Sequence, residues 1–468
     1  GRGTDVMRIT TVSIAGMGRS ACRVWDWAVE RPVLAVVVVS ATARLSIALV
    51  LNLFDIWSLA PDSVQYMAIA EANAGGRLEG FWVGYGASLY DSTRPFSGQL
   101  SFLFELFGPY RLLGQLLAVF YGVLTAGLTT CLALRLLRPA FALLAGMIVA
   151  FLPSQIIFSS VALRESLVWA LLAAVAVICS RLGPRVGRPS IVIGVAGLAL
   201  LFYLLASLRV QTAVLALWCM TLALVSVRGH RLLRCGSAAL LFLVVPLLMG
   251  HSPGSGPALG PGGMGFLVSS ASRLGTVRTY MAMGAESAIA EPQPLIVEPG
   301  TTDGGDADAA LLPTFEGGHT NVLDRINYPG PYDQKFVIDN EGHAVVVTNN
   351  LSASLTAFPS GLLAVTVRPV PWEAAMSVRR QAAGYESIIW LSLFVFAGVG
   401  AWVRRRESHL VALPASLILA VILSSAVTQG NLGTAFRHRG QILFALSILA
   451  VAGLQAAIDH RQRGDDPT

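Results

Sequence analysis

The chain reads as an all-α polytopic membrane protein of about ten transmembrane helices with a mixed exported loop domain. Three observations predict this. The composition is 54% hydrophobic and only 13% charged across 468 residues. Apolar runs of about 20 residues recur along the chain, long enough to cross a hydrocarbon core of roughly 30 Å. Arginines punctuate the connections between those runs in alternation. In lipid each backbone polar group must be satisfied within its own segment, so the runs are helices.

Taken in order, residues 1–31 form a basic cytoplasmic tail (Arg2, Arg8, Arg19, Arg23, Arg31). The apolar run after Pro32 is too long for the core of a signal peptide, and no small-residue cleavage site follows it clearly. It is expected to be an uncleaved first span. The predicted spans are 32–51, 112–134, 139–158, 163–180, 189–207, 210–227, 232–250, 386–403, 409–427 and 441–458. This divides the chain into an N-terminal transmembrane module, 32–250, an exported loop domain, 251–385, and C-terminal transmembrane helices, 386–459. A cytoplasmic tail, 460–468, closes it.

Short connections carry the arginines: Arg135 and Arg138; Arg181, Arg185 and Arg188; Arg228, Arg231 and Arg234; Arg404, Arg405 and Arg406; then Arg461 and Arg463. Short basic loops stay inside, so both termini are expected in the cytoplasm of a multi-pass plasma-membrane protein. The net charge of +6 is almost all arginine, with Lys335 the sole lysine, and topology accounts for it without a nucleic-acid partner.

The first exported loop, 52–111, is rich in acids and aromatics. Its stretch from Asp62 to Ala74 has helical spacing and predicts an interfacial helix, with Val64, Met67 and Ile69 toward the bilayer and Asp62 and Tyr66 on the other face. The second, 251–385, opens on a Gly/Pro linker. It continues through Asp303, Asp306 and Asp308, a stretch that lacks the glutamate of a calcium loop and reads as solvated. Residues 335–349 read as a small hairpin. The segment 351–372 is broken by Pro359, Pro369 and Pro371 and reads as interfacial or re-entrant.

Cys22, Cys131, Cys179, Cys219 and Cys235 lie in the tail or in or beside spans, so no disulfide framework is expected. No metal-ligand spacing, phosphate-binding loop or dinucleotide fingerprint occurs, so no metal or cofactor is assigned.

Four places put ionisable groups where topology does not need them, all toward the exported side. They are Asp62 with Tyr66, Arg164 with Glu165, Arg209 between two spans, and Arg437–His438–Arg439 at the start of the last span. An ionisable group in a bilayer costs at least about 2.5–3.5 kcal/mol, so such residues pair, face a cavity or act. Each also has a structural reading. Asp62 follows Pro61 as a helix-start residue. Arg164 and Glu165 are adjacent, about 100° apart on a helix, and so would each pair elsewhere. Arg209, Arg437 and Arg439 are long enough to snorkel to headgroups. Arg44, inside the first span, reads as snorkelling or paired. Taken together, arginine forks suit phosphate oxygens, and a carboxylate beside them suits proton removal from a hydroxyl.

The PDSVQYMAIA stretch after the first span, the LFG before the second and the PSQIIFSSVALRESLV segment resemble the polytopic GT-C glycosyltransferases. These include relatives of the dolichyl-phosphate-mannose protein mannosyltransferases and their bacterial counterparts. NLGTAFRHRGQILFAL and LLAVTVRPVPWE are similar to stretches of bacterial surface-polysaccharide membrane proteins. The resemblance covers most of 33–250 and the last helices, and it implies a GT-C-like fold. It also implies a sugar moved from a polyprenyl-phosphate donor to a lipid, glycan or protein acceptor on the exported face. Carried over, Asp62 is the base, and Arg164, Arg209, Arg437 and Arg439 hold the carrier phosphate. Tyr66, Arg94 and His438 are further substrate-binding candidates. Many members have two adjacent acids in the first loop; here Ser63 follows Asp62, which leaves Glu165 or Asp55 able to share the catalytic role.

A polymerase or ligase using polyprenyl-diphosphate glycans fits the same residues. A lipid or solute transporter needs polar groups at midplane, and the second, third, seventh, eighth and tenth spans are dominated by Leu, Ala and Val.

Overall fold

A computed structural model describes residues 19–56, 61–76, 85–183, 186–226, 231–249, 336–338, 344–346, 358–372, 378–428 and 432–464. Asp303, Asp306, Asp308 and the Gly/Pro linker lie outside them. Within the described residues, the predicted spans are helical. The helices are α1 (Arg19–Glu30), α2 (Pro32–Leu53), α3 (Pro61–Ala74), α4 (Tyr85–Phe107), α5 (Arg111–Ala133) and α6 (Pro139–Phe151). They continue with α7 (Pro153–Phe158), α8 (Glu165–Arg181), α9 (Arg188–Leu208), α10 (Val210–Ser226) and α11 (Arg231–Met249). The last four are α12 (Phe358–Thr366), α13 (Val378–Val403), α14 (Ser408–Thr428) and α15 (Leu432–Gly464). The hairpin read at 335–349 pairs β1 (Phe336–Ile338) antiparallel with β2 (Ala344–Val346), Phe336 opposite Val346.

Among the described residues, five helices are long and apolar enough to cross a membrane: Pro32–Leu53, Arg111–Ala133, Arg188–Leu208, Gln381–Val403 and Arg437–Gln462. Shorter apolar helices accompany them at Pro139–Phe151, Thr212–Ser226, Leu232–Leu241 and Leu410–Ala426. Two helices form the centre. Ser166–Ala173 of α8 and Ile442–Ala452 of α15 are buried at every position, so their sequences show apolar residues all round and no amphipathic period. The outer helices instead expose large apolar side chains, such as Leu34 and Val38 on α2 and Ile193 and Leu200 on α9. Exposed apolar surface on so many elements fits a lipid solvent.

The bundle has two chemically distinct ends. At one, the topology arginines close helix termini. Arg234 donates to the carbonyls of Leu182 and Gly183, and Arg135 donates to the carbonyl of Ser180 at 3.1 Å, all at the end of α8. Cations there complement the carbonyl end of the helix dipole. Arg138 pairs with Asp459 at the same end, and Arg404 pairs with Glu407 at 2.9 Å.

Within the basic tail, Arg19–Glu30 is a strongly amphipathic helix whose Trp25 and Trp27 are exposed. Three expectations need correction. The loop 52–111 contains a second helix, α4, with Pro95 inside it. That helix changes the role of α3. Met67 and Ala70 pack against Leu100, Phe104 and Ala162, and Ile69 is fully buried, so this face meets protein and not the bilayer. Finally, the span 139–158 is two helices broken at Leu152–Pro153, because proline has no N–H to continue the ladder.

Buried Arg44 serves that break. It donates to the carbonyls of Val149 and Ala150, both at 3.0 Å, and to Ser159 and Ser40. Those carbonyls are the ones that the N–H groups of residues 153 and 154 would take in an unbroken helix. The side chain has room because residue 122 is glycine: a Cβ there would stand 2.7 Å from Arg44 Nε.

Candidate active site

The other end of the bundle gathers the charges that topology did not explain. Asp62, in the first turn of α3, accepts a hydrogen bond from Arg437 Nη1 at 2.5 Å. Arg437 comes from α15 and also stands over the Phe158 ring of α7, 5.9 Å from its centroid. Residues 375 apart in sequence are thereby joined.

A second bridge lies beside it. Arg209 is the extended corner residue between α9 and α10, with φ −151° and ψ 92°. The corner frees its side chain to reach across. Its Nη2 donates to Glu165 Oε1 at 2.6 Å and its Nη1 meets His438 Nε2 at 2.8 Å. Arg164, one residue before Glu165, donates in the opposite sense, to the carbonyl of Leu208 at 3.1 Å, one residue before Arg209. Two adjacent pairs thus exchange bonds. Neighbours about 100° apart around a helix cannot pair with each other, and here each takes a partner from the facing corner. Glu165 is 3% exposed and opens α8, where a carboxylate also complements the helix N-terminus. Among the described residues, neither its Oε2 nor Arg209 Nε finds a hydrogen-bond partner.

Tyr66 lies between the two bridges. It is buried, stacks edge-on against Phe96 at 6.1 Å and carries Arg164 over its ring at 5.8 Å. Burial pushes its hydroxyl well above the ordinary tyrosine range; Arg164 and Arg209 oppose that shift while Glu165 and Asp62 add to it. The phenol is therefore held neutral here. Arg164, Arg209 and Arg437 all act on Glu165 electrostatically. Among the described residues, three guanidiniums meet two carboxylates here, a grouping that suits an anion.

Not every predicted residue joins. Arg439 is buried but turned elsewhere, donating to the carbonyls of Val365 and Arg368 and to Ser387 Oγ at 3.2 Å. It ties the segment after α12 to α13 and α15, and its assignment to phosphate binding is corrected to a structural one. The reason is helical: two residues past Arg437, it points to another side of α15. Arg94 is exposed on α4. Asp55 forms an exposed pair with Arg111 at 2.7 Å and stays outside the cluster. His438 faces Arg209 and Ser425. Ser425 and Phe158 were not foreseen. A serine and a phenylalanine in apolar runs carry no signal of their own, and only the neighbouring charges give them a role.

Among the described residues no group of three or more His, Cys, Asp or Glu side chains is placed to hold a metal ion. No protein-family model matches the chain, and no curated protein or solved structure matches it either.

Proposed function

We propose that the protein is a ten-span membrane glycosyltransferase of GT-C type with both termini cytoplasmic. It would move a sugar from a polyprenyl-phosphate donor to a lipid, glycan or protein hydroxyl on the exported face of the plasma membrane. One observation carries this reading. Asp62, Tyr66, Arg164, Glu165, Arg209 and Arg437, drawn from four parts of the chain, converge at the end opposite the topology arginines. The resemblance of PDSVQYMAIA and PSQIIFSSVALRESLV to that family supports it.

The donor phosphate takes Arg437, whose fork donates to two oxygens at once. Asp62, now released from Arg437, removes the proton of the acceptor hydroxyl. The acceptor oxygen bonds to the anomeric carbon while the bond from that carbon to the phosphate oxygen breaks. The electron pair leaves on the phosphate, where Arg164 and Arg437 stabilise the growing charge. The Glu165–Arg209 bridge holds the Arg164 turn in place. The donor carries its energy in its own sugar–phosphate bond, so no nucleotide site is required.

The test is transfer by purified protein in lipid nanodiscs, with a labelled monosaccharide polyprenyl-phosphate and a membrane extract as acceptor source. Release of free polyprenyl-phosphate, abolished in Asp62→Asn, supports the reading. Consumption of a diphosphate-linked oligosaccharide alone, or movement of either lipid without chemical change, overturns it.

A further inference from the structure

We infer that Glu386, buried on α13, is a positioning residue that aims α7 and the Arg164–Glu165 turn through the break in α6–α7; for its link to catalysis this rests on the reading of the site given above. The argument begins with an orphaned donor. Pro153 has no N–H, and the N–H of Ser154 has lost its place in the ladder because the chain turns out of the helix at Leu152, φ −61° and ψ 122°; Arg44 meets the carbonyl of Ala150 that it leaves. In hydrocarbon that N–H must be met by protein. Glu386 meets it: Ser154 N donates to Oε2 at 2.9 Å and Ser154 Oγ donates to Oε1 at 2.5 Å. Trp390, one turn further along α13, donates its Nε1–H to the same Oε1 at 2.9 Å. Glu386 is 6% exposed and Trp390 is fully buried, so these bonds are not exchanged with water.

The break is thus held by two charges of opposite sign from opposite parts of the chain. Arg44 of α2 takes the freed carbonyls, and Glu386 of α13 takes the freed N–H. From this clamp α7 runs only to Phe158, which lies beneath Arg437, and Ser159 returns to Arg44 Nε at 2.8 Å. Six residues past Phe158 stands Arg164, beside Glu165. Both bridges of the site therefore depend on where α7 points. A continuous α6 would carry Phe158 and the following turn along another line.

The chemistry is specific to a carboxylate. Three donors converge on one side chain, and only an acceptor-only group satisfies them all. An amide puts an NH2 group toward either Ser154 or Trp390, and the Trp390 N–H accepts nothing. Removing that N–H should let the amide fit, with Ser154 Oγ as its acceptor.

The experiment is amide hydrogen exchange over residues 153–165 in nanodiscs for the parent protein, Glu386→Gln, Trp390→Phe and the double variant, with transfer kinetics alongside. Glu386→Gln is expected to exchange faster by about tenfold or more at this segment, the scale of a lost hydrogen bond to a charged group. The double variant is expected to regain protection. In transfer, kcat should fall in Glu386→Gln while the donor KM stays within about twofold, and kcat should recover in the double variant. Exchange unchanged in Glu386→Gln, or no recovery in the double variant, overturns the inference. So does faster exchange with kcat intact. If Glu386→Gln does not fold, Ser154→Ala, which removes one donor and keeps the carboxylate, is measured the same way, and unchanged exchange again overturns it. A parent protein without transfer activity sinks the functional reading alone, because the exchange measurements still decide the clamp.

Discussion

Arg209 and Glu165 lie 44 residues apart and meet at 2.6 Å, with side-chain exposures of 16% and 3%. A bridge this buried behaves unlike a surface pair: losing one partner strands the other charge. Arg209→Ala should therefore destabilise the protein by about 3–5 kcal/mol. Replacing both residues, as Arg209→Met with Glu165→Leu, should return most of that stability without returning transfer. Thermal unfolding in detergent and the transfer assay check the two halves separately. A double variant that is stable and fully active would remove this bridge from the mechanism.

Asp62 and Arg437 make the contrasting case. Their side chains are 38% and 24% exposed, and a pair so open to solvent is worth about 0–1 kcal/mol to stability. Asp62→Asn should melt within a few degrees of the parent yet lose transfer. Melting curves beside product analysis decide it; a large stability loss would make Asp62 a structural residue.

How these residues could be read from the sequence follows from where their signals come from. Asp62, Arg164, Glu165, Arg209 and Arg437 were visible because each breaks a rule: an arginine or acid at the end of an apolar run away from the arginine-rich connections has no topological purpose. The rule does not say where the side chain points, so Arg439 was grouped with Arg437 although it serves α12 and α13. Glu386 stands at the very start of a predicted span, where an acid looks like a boundary. The helix α4 was hidden by Pro95 and by a composition that is neither apolar enough for a span nor polar enough for a loop. Convergence itself was not legible, because it depends on helix packing that no local pattern encodes. The break at Pro153 was legible as a proline in an apolar run but not as a functional hinge, since its partners Arg44 and Glu386 lie 109 residues before and 233 after it (153 − 44 and 386 − 153).

His438 has one consistent protonation state. Arginine has only donors, so the 2.8 Å contact from Arg209 Nη1 requires a lone pair on His438 Nε2. The proton then sits on Nδ1, facing Ser425 Oγ at 3.2 Å. The ring should be the neutral Nδ1–H tautomer at pH 7, as read from the two ring 15N shifts of selectively labelled protein. His438→Lys, which places a second cation against Arg209, should cut transfer by about tenfold or more, the cost of an unpaired donor beside a charge. His438→Gln, which can present an acceptor oxygen, should be milder. Equal losses in both variants would argue against the acceptor role.

The crossing of α13 and α15 controls how the two halves of this arrangement meet. Gly400 and Gly453 face each other there, with backbone against backbone. A Cβ on Gly400 would overlap the Leu449 carbonyl oxygen, and one on Gly453 would overlap the Phe396 carbonyl oxygen. Small residues of this kind let membrane helices approach closely. Neither overlap can be relieved by a side-chain rotation, because the obstacle is backbone. Gly400→Ala should therefore push the helices apart at a cost of about 1–3 kcal/mol. Glu386 and Ser387 ride on α13, and Arg437, His438 and Arg439 ride on α15, so the displacement should reach the site. The expected signature is a lower melting temperature together with faster amide exchange in 153–165. Gly398, two residues away, has open space where its Cβ would go, so Gly398→Ala is the matched control and should leave both readouts unchanged.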